Sequence, residues 1–218
     1  MSPDRRIMVE TASSPKNNEI LLISCYELGH QPMGLASPMA FLARAGLRVS
    51  AIDVSVDPWE SLDEDRVRRA RLVAISVPMH TALRLGSRLA RRVRILSPSC
   101  HICFYGLYAS LNADYLLANG ADSVLGGEYE QSLVTLAQTL GDDVGGTTPP
   151  HGSPVLERLS FPVPQRGGLP PLERYAHLDR NGDLGLVGYV EASRGCLHLC
   201  RHCPIPPVYK GRFFVVPK

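Results

Sequence analysis

Long apolar runs are missing from this chain. No stretch approaches the ~20 consecutive apolar residues of a membrane-spanning helix. The opening MSPDRRIMVETASSPKNNEI holds charges but not the apolar core of a secretory signal. An excess of one charge is missing too. The 23 Lys and Arg face 21 Asp and Glu, a formal net charge of +2, so nothing indicates a nucleic acid or other polyanion as partner. What remains is an ordinary soluble composition, 44% hydrophobic and 20% charged, and by default a cytoplasmic protein without a membrane role. Thiols stay reduced in that compartment. The 6 cysteines are therefore read first as core residues, nucleophiles or metal ligands.

Two motifs are also missing. A dinucleotide fold would carry G-x-G-x-x-G after its first strand, but that loop reads CYELGHQPMGLA, with Gly29 and Gly34 only. A phosphoacceptor receiver would carry Asp at the end of its third strand, where this chain has Ser76.

What is present is a regular alternation over residues 18–140. The runs EILLISCY, LRVSAIDV, RLVAISV, HICFYG and DSVLGG have strand character. Between and after them lie the helical patterns LASPMAFLARAG, closed by Gly46, then WESLDEDRVRRA, TALRLGSRLARRVRIL, SLNADYLLANG and EQSLVTLAQTLG. Strands alternating with helices imply parallel pairing and right-handed crossovers, so the spacing predicts an α/β, five-stranded doubly wound sheet. Its ligands would sit beyond the carboxyl ends of the strands. Residues 1–17 read as a polar tail. Residues 141–186, rich in Pro and Gly, read as a linker with local extended stretches. Strand character returns in LVGYVEASRGC, so 187–218 reads as the start of a second unit.

The small residues at the strand ends, Ser76, Gly106, Gly126 and Gly127, either serve turns or let a bulky ligand approach the backbone. Cys100 and Cys103 form a C-x-x-C, but residues three apart on a strand face opposite ways, which puts Cys103 in the core and Cys100 near a loop; with Cys25 they read as buried, inert thiols. Cys196, Cys200 and Cys203 are different. Their C-x3-C-x2-C spacing lets one tight loop turn three soft thiolates toward a common point, for an iron–sulfur cluster or for zinc. From Glu191 onward the only acid is Glu191, against Arg194, Arg201, Lys210, Arg212 and Lys218, and such cations favour thiolates.

Residues 20–140 resemble the cobalamin-binding domain found at the front of many radical S-adenosylmethionine (SAM) enzymes. The matching pieces are GLASPMAFLARAGLRVSAIDV, LVAISVPMHTA, YGLYASLNADYLLANGAD and VLGGEYEQSL. The resemblance implies that Ser76, Val77, Gly106, Ala109, Ser110, Gly126, Gly127 and Glu128 surround the corrin and its nucleotide tail. The D-x-H-x-x-G of many such domains, whose His replaces the lower cobalt ligand, is not matched. Glu27, His30 and Gly34 are spaced differently, and His30 reads as an ordinary polar loop residue.

The loop EASRGCLHLCRHCP in turn resembles the radical SAM signature, with His202 where an aromatic usually precedes the third cysteine. That implies a [4Fe-4S] cluster on Cys196, Cys200 and Cys203, with S-adenosylmethionine on the open iron and a reductant such as flavodoxin or ferredoxin as partner. It further implies radical methylation or rearrangement in the complete enzyme. The strand ends that hold S-adenosylmethionine in that family would lie beyond Lys218. The chain is therefore expected to be an amino-terminal part, inactive alone, with RFFVV an unpaired apolar strand. A cobalamin carrier or sensor without catalysis and a zinc-stabilised α/β protein are the rival expectations.

Overall fold

A computed structural model describes residues 19–57, 63–141 and 154–216. Five parallel strands form one sheet: β1 (Glu19–Ser24), β2 (Val49–Asp53), β3 (Ala70–Ser76), β4 (His101–Tyr105) and β5 (Ser123–Leu125), in the order β2-β1-β3-β4-β5. The strands are apolar throughout because helices cover both faces. Ile20, Leu22, Leu72, Ala74, Cys103 and Tyr105 pack on one side, under α1 (Met33–Arg44) and α6 (Tyr129–Thr139). Their neighbours Leu21, Ile23, Val73, Ile75, Ile102 and Phe104 pack on the other, which also buries Val67 of α2 (Glu64–Arg69) and Leu89 of α3 (His80–Leu96). Cys100 and Cys103 thus belong to opposite cores, as the strand period requires. Among the described residues no helix is long and apolar enough to cross a membrane.

Local chemistry explains the element ends. Helix α1 stops where Gly46 takes φ +75°. The Gly46 N–H donates to the Ala43 carbonyl and the Leu47 N–H to the Leu42 carbonyl, the Schellman pattern. The helix nonetheless contains Pro38, which cannot donate to the Gly34 carbonyl one turn back. The buried Tyr105 hydroxyl supplies that bond instead, at 2.6 Å. Helix α2 starts at Asp63, whose carboxylate accepts the Arg66 N–H. The WES part of the pattern expected to lead into it lies outside the described residues. The pattern SLNADYLLANG gives two short helices, α4 (Leu107–Leu111) and α5 (Ala113–Ala118), broken at Asn112.

Residues 154–186 run largely extended and are fastened to the domain along their length. The Val155 backbone pairs with Gly127 in a parallel bridge. Phe161 meets the Phe41 ring edge-on at 5.6 Å. A single 3-10 turn, Leu172–Arg174, brings Tyr175 to Asp53, and its hydroxyl donates to that buried carboxylate at 2.9 Å. Arg174 pairs with Asp57 beside it. An antiparallel hairpin follows, β6 (His177–Arg180) and β7 (Asp183–Leu186), turning on Asn181 and Gly182, both at positive φ. The chain then forms β8 (Ser193–Gly195), the cysteine loop, α7 (Ile205–Tyr209) and β9 (Phe213–Val215). The FFV of RFFVV, expected unpaired, is β9 and pairs antiparallel with β8. Gly211 at φ +77° helps turn the chain back onto the strand it left.

Candidate functional site

In this strand order the connections leave β1 and β3 in opposite directions, so a crevice opens at their carboxyl ends. The loop after β1 is shaped by Glu27. Pro32 caps α1 without a side-chain bond, and the Glu27 carboxylate fills that role by accepting the Met33 N–H at 2.9 Å and the Gly34 N–H at 3.3 Å. Burial nevertheless dominates these bonds and pushes the carboxyl up to about 7. Gly34 is there for closeness: a Cβ on it would lie 2.3 Å from the Ser76 hydroxyl at the end of β3. Ser76 and the first turn of α1 therefore touch directly.

A cavity of ≈ 380 Å³ sits above this contact. Its floor includes Gly34, Ser76, Gly106 and Gly127, and its other wall is built from Tyr189, Glu191, Arg194 and Tyr209 of the carboxyl-terminal segment. His30 also lines it and stacks on Tyr189, with ring centroids 5.3 Å apart.

Of the residues implied as cofactor contacts, the structure brings Ser76, Gly106 and Gly127 together at the cavity. Gly106 takes φ +106° and packs against the Val77 backbone. The Val77 and Ala109 side chains lie in the hydrophobic core instead. Ser110 backs Gly126 so closely that a Cβ there would meet its hydroxyl at 2.4 Å. Glu128 turns away into a buried ion cluster.

That cluster centres on a residue that sequence reasoning counted only as one of several cations. Arg194, in the RGC lead-in to the cysteine loop, is 6% exposed. Its guanidinium donates to both Glu130 oxygens at 2.6 and 2.8 Å, to Glu128 at 3.3 Å and to Glu191 at 2.8 Å. It lies over the Phe161 ring at 4.7 Å and the Tyr129 ring at 5.5 Å. Ser37 donates to Glu130, and the Tyr209 hydroxyl donates to Glu128 at 3.0 Å. Burial pushes Glu128 up to about 6 against the pull of Arg194. The sequence cue is the opening of α6, where Glu128 and Glu130 flank a tyrosine just after the apolar β5, and it calls for a cation without saying which. Carboxylates buried there require a cation from elsewhere.

The cysteine loop stands beside this cluster. Cys196 and Cys203 are half-buried and Cys200 is exposed, all as free thiols. The Cys196 N–H donates to the Arg212 carbonyl and the Cys203 N–H to that of Cys200. Among the described residues no group of three His, Cys, Asp or Glu side chains is gathered closely enough for a single metal ion. The common point that the C-x3-C-x2-C spacing predicts for the three thiols is therefore not formed. Cys25, Cys100 and Cys103 are buried, and desolvation pushes their thiols up to about 12, 11 and 12, so they stay protonated and inert.

The family model described as the B12 binding domain matches residues 20–137. No curated protein matches the sequence. Two solved structures of TsrM from Kitasatospora setae, a radical S-adenosylmethionine methyltransferase, share the fold. One, with tryptophan substrate and the SAM analog aza-SAM bound, superposes with a TM-score of 0.62 at 16% identity. The other, with cobalamin and a [4Fe-4S] cluster bound, gives 0.59 at 14%. Each match covers 92% of this chain and 43% of that one, so the chain spans less than half their length.

Proposed function

The chain belongs to the B12-binding domain family, and from that premise we propose that it holds cobalamin at the carboxyl ends of β1, β3, β4 and β5 as the amino-terminal part of a cobalamin-dependent radical SAM enzyme. The observation that carries this reading is the composite cavity. Small residues at the strand ends form one wall, and the segment bearing Cys196, Cys200 and Cys203 forms the other. Ser76, Gly106 and Gly127 leave the backbone approachable by a wide ring, and Tyr189 and Tyr209 offer apolar faces. Glu27 fixes the first turn of α1 beside the cavity. The donor set fits a cluster as well: soft thiols on a partly exposed loop, with Arg201 and Lys210 exposed beside them.

In this reading Cys196, Cys200 and Cys203 would hold the [4Fe-4S] cluster, with S-adenosylmethionine as its co-substrate and a small acidic electron carrier as its reductant. When bound, these groups would supply a deoxyadenosyl radical, and methylcobalamin a methyl group, for radical methylation or rearrangement. The chain's own part is to bind and orient them and to keep the inert thiols out of the chemistry.

The test has two arms. Hydroxocobalamin titrated into the full chain should give saturable changes in the corrin bands. Anaerobic reconstitution with iron and sulfide should give charge-transfer absorbance that Cys200→Ala removes. Cobalamin binding without cluster absorbance leaves the carrier reading, and no corrin change at excess ligand sinks both.

A further inference from the structure

We infer that Arg194 is a coupling residue, making occupancy of the cobalamin cavity and loading of the cysteine loop depend on each other. This rests on the proposed function above and adds a regulatory link that neither half of it requires.

The argument is geometric. Arg194 stands two residues before Cys196, and the lead-in between them is tightly held. Gly195 takes φ +76°, and a Cβ on it would meet the Arg212 carbonyl at 2.2 Å and the Tyr209 ring at 2.8 Å. The Cys196 N–H is bonded to that same carbonyl at 3.0 Å. A shift of the first thiol therefore bears on the β8–β9 pairing and on Tyr209. On the domain side, Arg194 grips both oxygens of Glu130 and reaches Glu128, while Tyr209 donates to the other Glu128 oxygen. Glu128 directly follows Gly127, and Gly127, Tyr129, Arg194 and Tyr209 all line the cavity. Two side chains thus tie the thiol loop to the start of α6, and the same two form part of the wall against which a cavity ligand would rest. A change at the loop or at the cavity therefore bears on a buried, two-armed ion pair. Because the packing around such pairs is stiff, any strain in it becomes a coupling free energy between the two sites, equal in both directions.

The test is the dissociation constant of hydroxocobalamin, measured on the full chain with and without anaerobic reconstitution by iron and sulfide. Reconstitution should tighten binding by about fivefold or more in the natural chain, the low end of ordinary allosteric coupling. In Arg194→Gln the two constants should fall within about twofold of each other. Arg194→Lys keeps the charge but loses the fork, so it should retain part of the difference, and it carries the test if the glutamine variant does not fold. A simple stabilising role would lower both affinities together and leave their ratio alone. Variants that fold and keep the natural ratio overturn the inference, as does a natural ratio of one. Cobalamin binding indifferent to reconstitution removes the coupling alone. Absence of cobalamin binding or of iron uptake removes it together with that part of the proposed function.

Discussion

At the scale of single residues, the crevice depends on contacts that leave no room. Pro38 withholds a bond from the Gly34 carbonyl, and Tyr105 restores it from across the core at 2.6 Å. Tyr105→Phe keeps the ring and removes only the donor, leaving a buried carbonyl unpaired. The expected loss is about 1–3 kcal/mol of unfolding free energy in a denaturant titration with unchanged slope. Gly34 is the companion case. A methyl group there would lie 2.3 Å from the Ser76 hydroxyl and 3.1 Å from a Glu27 oxygen. Gly34→Ala should destabilise by about 1–3 kcal/mol, as overpacking does. Adding Ser76→Ala should recover part of that loss, so a double-mutant cycle should show non-additivity; strict additivity would place the clash elsewhere. Residues of the site differ in how legible they were. Ser76, Gly106 and Gly127 could be read because small residues at strand ends follow from the alternation of elements. Arg194 could not, because its Glu130 partner stands 64 positions back and only the folded chain brings them together.

At the scale of elements, the sheet and its helices were readable because short apolar runs alternate with helical patterns and the ends carried their own chemistry, as Gly46 and Asp63 show. Asn112 was harder. It breaks one helical pattern into α4 and α5, and its side-chain amide donates to the Tyr108 carbonyl, a local bond that competes with helix continuation. The proline-rich stretch carries no period, so its fastening to the domain was invisible, although Asn181–Gly182 is a recognised hairpin signal. Its anchorage at Tyr175 is testable. Tyr175→Phe removes a donor from the Asp53 carboxylate, which is 1% exposed and still keeps Ser55 as a partner. The expected effect is local: faster amide exchange at Ala176, whose N–H donates to the Gly29 carbonyl, with exchange in β3 and β4 unchanged. Exchange that quickens throughout the sheet would show instead that this segment folds as one with the domain.

At the scale of the whole molecule, the buried carboxylates set an uncommon dependence on pH. Glu27 and Glu128 are both pushed above their usual 4.5, to about 7 and about 6, first by desolvation, and Asp53 is raised for the same reason. In each case the folded chain holds its proton more tightly than the unfolded chain does. The stability the two glutamates contribute is fully present below about pH 4.5, the unfolded value, and is lost as pH rises through their folded values. At 1.36 kcal/mol per pH unit of displacement, Glu27 alone could account for at most about 3 kcal/mol between pH 4.5 and 7. The fold should therefore be more stable near pH 5.5 than near pH 7.5, where many proteins show little change. Glu27→Gln removes one titration while keeping an acceptor for the Met33 N–H, so it should flatten the profile and gain stability mainly at the higher pH. Chemical unfolding of both chains at the two pH values decides it. A natural chain more stable at pH 7.5, or a variant with an unchanged slope, would mean that water reaches these carboxylates despite the packing around them.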